Sequence, residues 1–395
     1  MRALSAAQVA VVLAPLLFGA ASAAEIGRHG VATSPVMTPL VAVGRADVGR
    51  SQPPRLRSSP FERPGWAIRS QSPRRSGGQL LALDRDVIGR RLLLGGRRGS
   101  ETASLGPSQF GVVFLHFGLD AGARVPEALV HEIDRFAEPL KSELSMRVAD
   151  TLVIDTALPV LGAPLRGSGY VAGDGCCVSI RHVRVLLPLN GAFRLAQRFA
   201  IDWVKIDDEN RIVRGDLKDV KSYRIYGEPV LAVADGSVVG ARNDLPDQAP
   251  GALPANLPIS EADGNFVGLA IGGRAFVLYA HLRPGSGRVR FGDRVGRGAI
   301  TGELGNTGNS QAPHLHLHVM DRPDDLQADG LPYVFEAFAI PTDAEAGTSD
   351  FDRAEATGSP LTLTRRSAPL AVRKALPLDL SIVDWEPRAS EGGTQ

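Results

Sequence analysis

Residues 311–320 read Gln-Ala-Pro-His-Leu-His-Leu-His-Val-Met, which places His314, His316 and His318 at every second position. In a β-strand successive side chains point to opposite faces, so these three imidazoles share one face and Leu315, Leu317 and Val319 share the other. Three of the chain's eight histidines within five positions exceed what solvating a strand face requires. A divalent metal or a proton-transfer task uses all of them. The alternation predicts a half-buried strand, and the turn-rich approach over residues 302–310 lets the backbone bend sharply into it.

Working outward, the chain after Asp202 is a series of short β-prone runs with frequent Gly and Pro. Residues 230–234, 237–241, 266–270, 275–279 and 314–320 are five expected strands. Asp235-Gly236 and Gly272-Gly273 supply tight hairpins because they tolerate positive φ. The reading is a mainly β, antiparallel sheet domain. Residues 242–263, with Pro246, Pro250, Pro254 and Pro258, form a loop that a compact sheet does not need and that is expected to wall a cleft.

Here the motifs point to a family. Gly305-Asn306-Thr307-Gly308-Asn309-Ser310 through Pro313-His314-Leu315-His316 closely resembles the signature of the lysostaphin-type (LytM-like) zinc metallopeptidases, which cut peptide cross-links in bacterial cell walls. Tyr279-Ala280-His281-Leu282 resembles that family's second histidine motif, and residues 227–239 resemble its opening hairpin. The resemblance covers about residues 195–340, with three motifs in order. Residues 167–177, 181–188 and 196–204 are similar to a secreted subgroup in which a β-module precedes the peptidase domain.

The resemblance implies a LytM/lysostaphin-like antiparallel fold, Zn2+ as cofactor and peptidoglycan peptides as substrate. It implies as metal ligands a His, an Asp four residues later, and the second His of His-x-His. Carried over, the Asp is Asp202 and the second motif His is His316, but the first His falls on Arg198. Arginine stays protonated and offers no lone pair. His182 is the candidate third ligand: it lies in a β-prone run joined to the Asp202 strand by the turn at Asn190-Gly191, and the two approach if those strands pair in the right register. Cys176 and Cys177 are more remote alternatives.

His281 and His314 match the family's two non-ligand histidines, which implies catalytic roles in proton transfer and in stabilising a developing oxyanion. His318 stands where a carboxylate often follows in the family, and a hydrogen bond behind a ligand is expected of it. Arg198, if it faced the site, would bind a peptide carboxylate in a bidentate way.

Lys plus Arg number 44 against 43 Asp plus Glu, so no global field argues for nucleic acid. Residues 1–23 read as a signal peptide: Arg2, an apolar run from Val9 to Phe18, then Ala21-Ser22-Ala23. The apolar run is too short to span a membrane, which needs about 20 residues. A secreted or periplasmic protein without a transmembrane segment after cleavage is expected. Residues 24–105 are expected to be disordered, since residues 45–98 hold thirteen arginines against four acidic residues. This arm is a solvated linker or makes electrostatic contact with anionic envelope polymers. The apolar islands at residues 80–83 and 92–94 are able to dock.

Residues 106–175 read as a small β-sandwich-like module, 176–340 as the LytM-like domain and 341–395 as a C-terminal extension. Adjacent Cys176 and Cys177 have α-carbons about 3.8 Å apart, closer than an unstrained disulfide prefers. Two functional readings follow: a zinc endopeptidase, or a degenerate, non-catalytic LytM-like domain that binds peptidoglycan or activates another wall hydrolase. A metal-binding structural protein fits the histidine row but not the ordered motifs.

Overall fold

The structure is a computed structural model that describes residues 157–175, 182, 185, 187–189, 192–344 and 347–385, together with the backbone of seven strands before residue 153. Residues 1–23, Cys176 and Cys177 lie outside the described residues, as does most of the arginine-rich arm. The chain divides into two compact units: Met1–Ala20 with Val36–Thr156, and Ala21–Pro35 with Ala157–Gln395.

In the first unit, Gln79–Leu83, Ala67–Gln71, Ala128–Ala137 and Ser142–Leu152 make one antiparallel sheet in that order. Leu92–Leu94 pairs with Gly111–Val113. Strands therefore begin well before residue 106, inside the stretch expected to be disordered. The physical reason lies in the two apolar islands, which supply short β-forming runs between the arginines.

The second unit is organised by an eight-stranded sheet. Its order is Arg294–Val295, Gly236–Arg242, Asn265–Ala270, Phe276–Leu282, Leu315–Met320, Ile201–Lys205, Tyr170–Gly173 and Ile382–Val383, with every pairing antiparallel. All five expected strands form, and Pro229–Leu231 pairs with Ile300–Glu303 in a separate ribbon. Tyr170–Gly173, expected in the preceding module, instead flanks the Asp202 strand. All four of its residues are buried, and such a short buried run reads alike in either domain.

The central strand Leu315–Met320 was expected to bury one face, but all six of its residues are buried. It lies between Phe276–Leu282 and Ile201–Lys205, and on the imidazole face His316 and His318 are buried while His314 is half-buried. Val171, Val204, Ile212, Val213, Ala312 and Phe351 belong to the core cluster beneath this end of the sheet.

The boundary expected at 340 bisects a strand: Val334–Ala344 pairs with Leu363–Pro377, and the helix Gly347–Thr357 lies between them in sequence. The helix buries Phe351 and Ala354, three apart and so on one face, in the same core cluster as Val171 and Ala312. A Cβ on Gly173 would come within 3.1 Å of the Phe351 ring, so the helix sits close over the strand beside Asp202. No helix among the described residues is long and apolar enough to cross a membrane.

Candidate active site

Strand register builds the centre of the site. Asp202 is paired directly with His316, and two residues in register on neighbouring strands share a face. Asp202 Oδ1 accordingly lies 2.8 Å from His316 Nδ1 and 3.5 Å from His314 Nε2. His182 closes the group from outside the sheet, its Nε2 3.2 Å from Asp202 Oδ2. One ligand atom from each of His182, Asp202 and His316 lies within 4.8 Å of the others, and the same holds for His281, His314 and His316.

His182 arrives by a route other than the one expected. It lies between Tyr170–Gly173 and Leu187–Leu189 and on neither strand, and Leu187–Leu189 pairs with Ala192–Arg194 rather than with the Asp202 strand. The partners of the Asp202 strand are Tyr170–Gly173 and Leu315–Met320, so strand pairing does not bring His182 to Asp202. A loop does, held where His182 Nδ1–H donates to the Asp174 carbonyl (2.8 Å).

The turn before the motif strand is built for close approach. A Cβ on Gly308 would lie 2.3 Å from the Gly264 backbone nitrogen, and its φ of +77° suits glycine. Ser310 Oγ–H donates to Asn306 Oδ1 (2.6 Å), while Asn306 Nδ2–H donates to the Gln248 carbonyl (2.8 Å). The Asp247 carboxylate accepts from the Asn306 N–H at 2.7 Å, so the proline-rich loop forms a wall against the motif.

This turn also orients the remaining histidines. A carbonyl only accepts, so a ring nitrogen bonded to one carries the hydrogen. His281 Nδ1–H donates to the Thr307 carbonyl and His314 Nδ1–H to the Ala312 carbonyl, both at 2.8 Å. Their Nε2 atoms are thereby left as lone-pair bearers, with the two rings 4.6 Å apart. His281 itself has φ of +63°, an uncommon backbone for a non-glycine residue and one found disproportionately at functional sites.

Burial pushes His281 well below the usual imidazole range, and the neighbouring His314 and His316 add to the effect. Burial likewise lowers His316. Burial works against a charged His182 too, but the Asp202 carboxylate together with the Asp174 charge and carbonyl outweighs it and raises the ring to about 9. For Asp202 burial opposes ionisation, yet His182, His314 and His316 hold its carboxyl well below the usual range. The site is thus an ionised carboxylate ringed by imidazoles.

Arg198 is 7% exposed, so it is not presented to a peptide as its position suggested. Its guanidinium lies 5.1 Å over the Phe199 ring, and burial lowers its pKa to about 10 against the opposing charge of Asp329. His318 is fully buried, with Nδ1 2.9 Å from His316 Nε2.

Two contributors had no sequence signal of their own. The Asp174 carbonyl is a backbone group, invisible in residue type. Glu355, on the C-terminal helix, reaches the Gln311 side chain at 3.5 Å and interacts electrostatically with His314, Asp174 and Asp202. Amphipathic spacing over residues 347–357 would have revealed the helix, but not where it docks.

The donor set of His182, Asp202 and His316, two imidazoles and a carboxylate converging within 4.8 Å, suits a tetrahedral zinc ion with one position open. Residues 220–328 match the family described as Peptidase family M23, a span that includes His281, His314, His316 and His318 but neither His182 nor Asp202. Among solved structures, the chain is similar to the catalytic domain of the antimicrobial peptidase lysostaphin from Staphylococcus simulans, at 23% identity over 42% of this chain and 88% of that one, TM-score 0.23. It is also similar to a mutant catalytic domain of the prophage-encoded M23 protein EnpA from Enterococcus faecalis (18% identity, 43% and 91% covered, TM-score 0.24). A zinc-containing peptidase from Vibrio cholerae aligns at 20% identity over 52% and 56%, TM-score 0.22. No curated protein matches the chain.

Proposed function

From the premise that residues 220–328 are a domain of peptidase family M23, LytM-like in kind, we propose that the protein is an exported zinc endopeptidase that hydrolyses peptide cross-links of peptidoglycan. The observation that carries this reading is the recovery of a three-donor set, His182, Asp202 and His316, although Arg198 stands where the family's first histidine falls. When bound, a zinc ion supplies a Lewis acid that polarises a carbonyl and makes water reactive near neutral pH.

The chain's own residues supply the rest. His281 and His314 each have Nδ1–H committed to a backbone carbonyl, so each presents Nε2 to the site. His281 stays neutral under its burial and its histidine neighbours, and accepts a proton at Nε2. His314, in the form that also carries a proton on Nε2, 3.5 Å from Asp202, stabilises developing charge there and passes that proton to the leaving amine. The loop over residues 242–263 forms one wall of the cleft and restricts water. Export follows from the leader-like N-terminus, and the product acts in the envelope or outside it.

The alternative is a binding module without metal, which the replacement by Arg198 favours. The two separate on one experiment: zinc content and wall hydrolysis of the mature protein and of His314→Ala. About one zinc per chain in both, with hydrolysis lost to chelator and reduced at least 100-fold in His314→Ala, is expected. A parent that takes up no zinc, or hydrolysis that survives His314→Ala, overturns the enzyme.

A further inference from the structure

Three of the four rings at the site share one plan. His182, His281 and His314 each turn Nδ1 outward, where a backbone carbonyl at 2.8 Å accepts its hydrogen. His316 is reversed. Its Nδ1 faces Asp202 at 2.8 Å, and its outward Nε2 meets not a carbonyl but His318 Nδ1 at 2.9 Å. A carbonyl dictates the tautomer of its partner because it can only accept, whereas an imidazole nitrogen either donates or accepts. His316 is therefore the one ring of the four whose outward nitrogen meets another imidazole, and the tautomer of His318 follows that of His316, which the Asp202 carboxylate fixes.

We propose that His318 is a positioning residue whose tautomer is locked to that of His316, and that the two rings exchange tautomers together when a metal is taken up. The metal half of this rests on the reading of His316 as a ligand; the link between the two rings does not.

Donor and acceptor counting fixes both states. Without metal, the Asp202 carboxylate accepts at 2.8 Å, so His316 carries its hydrogen on Nδ1. His316 Nε2 then holds a lone pair, and only His318 Nδ1–H can fill the 2.9 Å contact. A metal ligand at Nδ1 needs that lone pair free. His316 must then carry its hydrogen on Nε2 and donate to His318 Nδ1, which leaves the His318 hydrogen on Nε2.

Both rings stay neutral throughout. The proton on His316 Nδ1 is released to water, the shared proton passes from His318 Nδ1 to His316 Nε2, and one proton from water ends on His318 Nε2. That last atom is buried and has no hydrogen-bond partner among the described residues. His318 thus accepts a proton where nothing stabilises it, and this weakens metal affinity relative to an outward carbonyl or carboxylate.

The test is the side-chain 15N spectrum of the histidines in the mature full chain, metal-free and with zinc added, alongside zinc affinity. Metal-free, His316 should show a protonated Nδ1 and a lone-pair Nε2, with His318 protonated at Nδ1. Added zinc should move both hydrogens to Nε2. His318→Leu removes the partner and should weaken zinc binding 10- to 100-fold, while metal-free His316, still held by the Asp202 carboxylate, keeps its protonated Nδ1. His318→Gln, which restores an acceptor, should recover most of that affinity.

A His318 protonated at Nε2 before metal is added overturns the proposal. So does a folded His318→Leu whose zinc affinity matches the parent, or a folded His318→Gln that binds zinc no better than His318→Leu. A parent that takes no zinc sinks the metal reading alone, since the metal-free spectra still decide whether the tautomers of His316 and His318 are linked. If His318→Leu does not fold, the parent spectra and His318→Gln carry the test.

Discussion

The strand that carries His316 and the loop that carries His182 deliver their rings to the same carboxylate by different physics. His316 is placed by pleat and register: Asp202 and His316 are paired across neighbouring strands, and the ladder hydrogen bonds hold them face to face. His182 is placed by tertiary closure, with one 2.8 Å bond from its ring to the Asp174 carbonyl and one 3.2 Å contact with Asp202. A strand position is shared among many bonds, so one change barely moves it. A loop position rests on a few contacts and depends on the partner it closes against.

The largest effect expected from breaking this comparison is on metal binding. His316→Ala and His182→Ala each remove a donor and leave two, and zinc affinity should fall by more than the 10- to 100-fold that changing an outer partner costs. Zinc titration by calorimetry or a competing chelator reads both. Equal losses make the loop a full partner of the strand. Unchanged zinc in His182→Ala would send the third donor elsewhere and leave His182 as a lid on Asp202.

Backbone placement gives the next effect. Gly308→Ala would force a Cβ to within 2.3 Å of the Gly264 nitrogen in a left-handed conformation, with no flexible side chain to yield. About 3 kcal/mol or more of stability should be lost. The turn that aims His281 and His314 should shift with it. Gly292→Ala has the same sign of φ, +90°, but meets nothing within 4 Å. It should cost only the conformational part, about 1–2 kcal/mol. Urea denaturation of both variants separates close approach from backbone preference, and equal losses would remove Gly308 from the list of residues that build the site.

The same contrast explains what was legible in the sequence. The period-two histidines, the Asp-Gly and Gly-Gly turns and the spacing of the motifs predict the central strands, because strand chemistry is written in alternation. Asp202 and His316 follow once those strands lie side by side. His182 was a candidate through an expected strand pairing, which does not occur. Its proximity to Asp202 comes from loop closure, and no periodicity encodes that. Tyr170–Gly173 reads as part of the preceding module because four buried residues carry no pattern of their own, yet it pairs with the Asp202 strand. The C-terminal helix leaves only a faint amphipathic trace, because polar residues dominate 347–357 and only Phe351 and Ala354 are buried.

That helix adds a third mode of delivery, neither ladder nor loop, and yields the smallest effect. Glu355 is raised to about 7, first by burial and then by the nearby Asp174, Asp352 and Asp202 charges, with His314 opposing. A carboxyl that is harder to ionise in the folded state favours folding fully below its unfolded pKa of about 4.5. As pH climbs from there, the unfolded chain ionises first, and the advantage is gone once pH passes about 7. The metal-free protein should therefore lose stability over this window, by about 1 kcal/mol after allowance for the partial exposure of the side chain. Glu355→Gln should abolish that part of the slope, matching the parent near pH 4 and exceeding it at pH 8 in urea denaturation. A slope that persists in Glu355→Gln would mean that the helix carboxylate does not sense the site, and that the strand and the loop together account for its electrostatics.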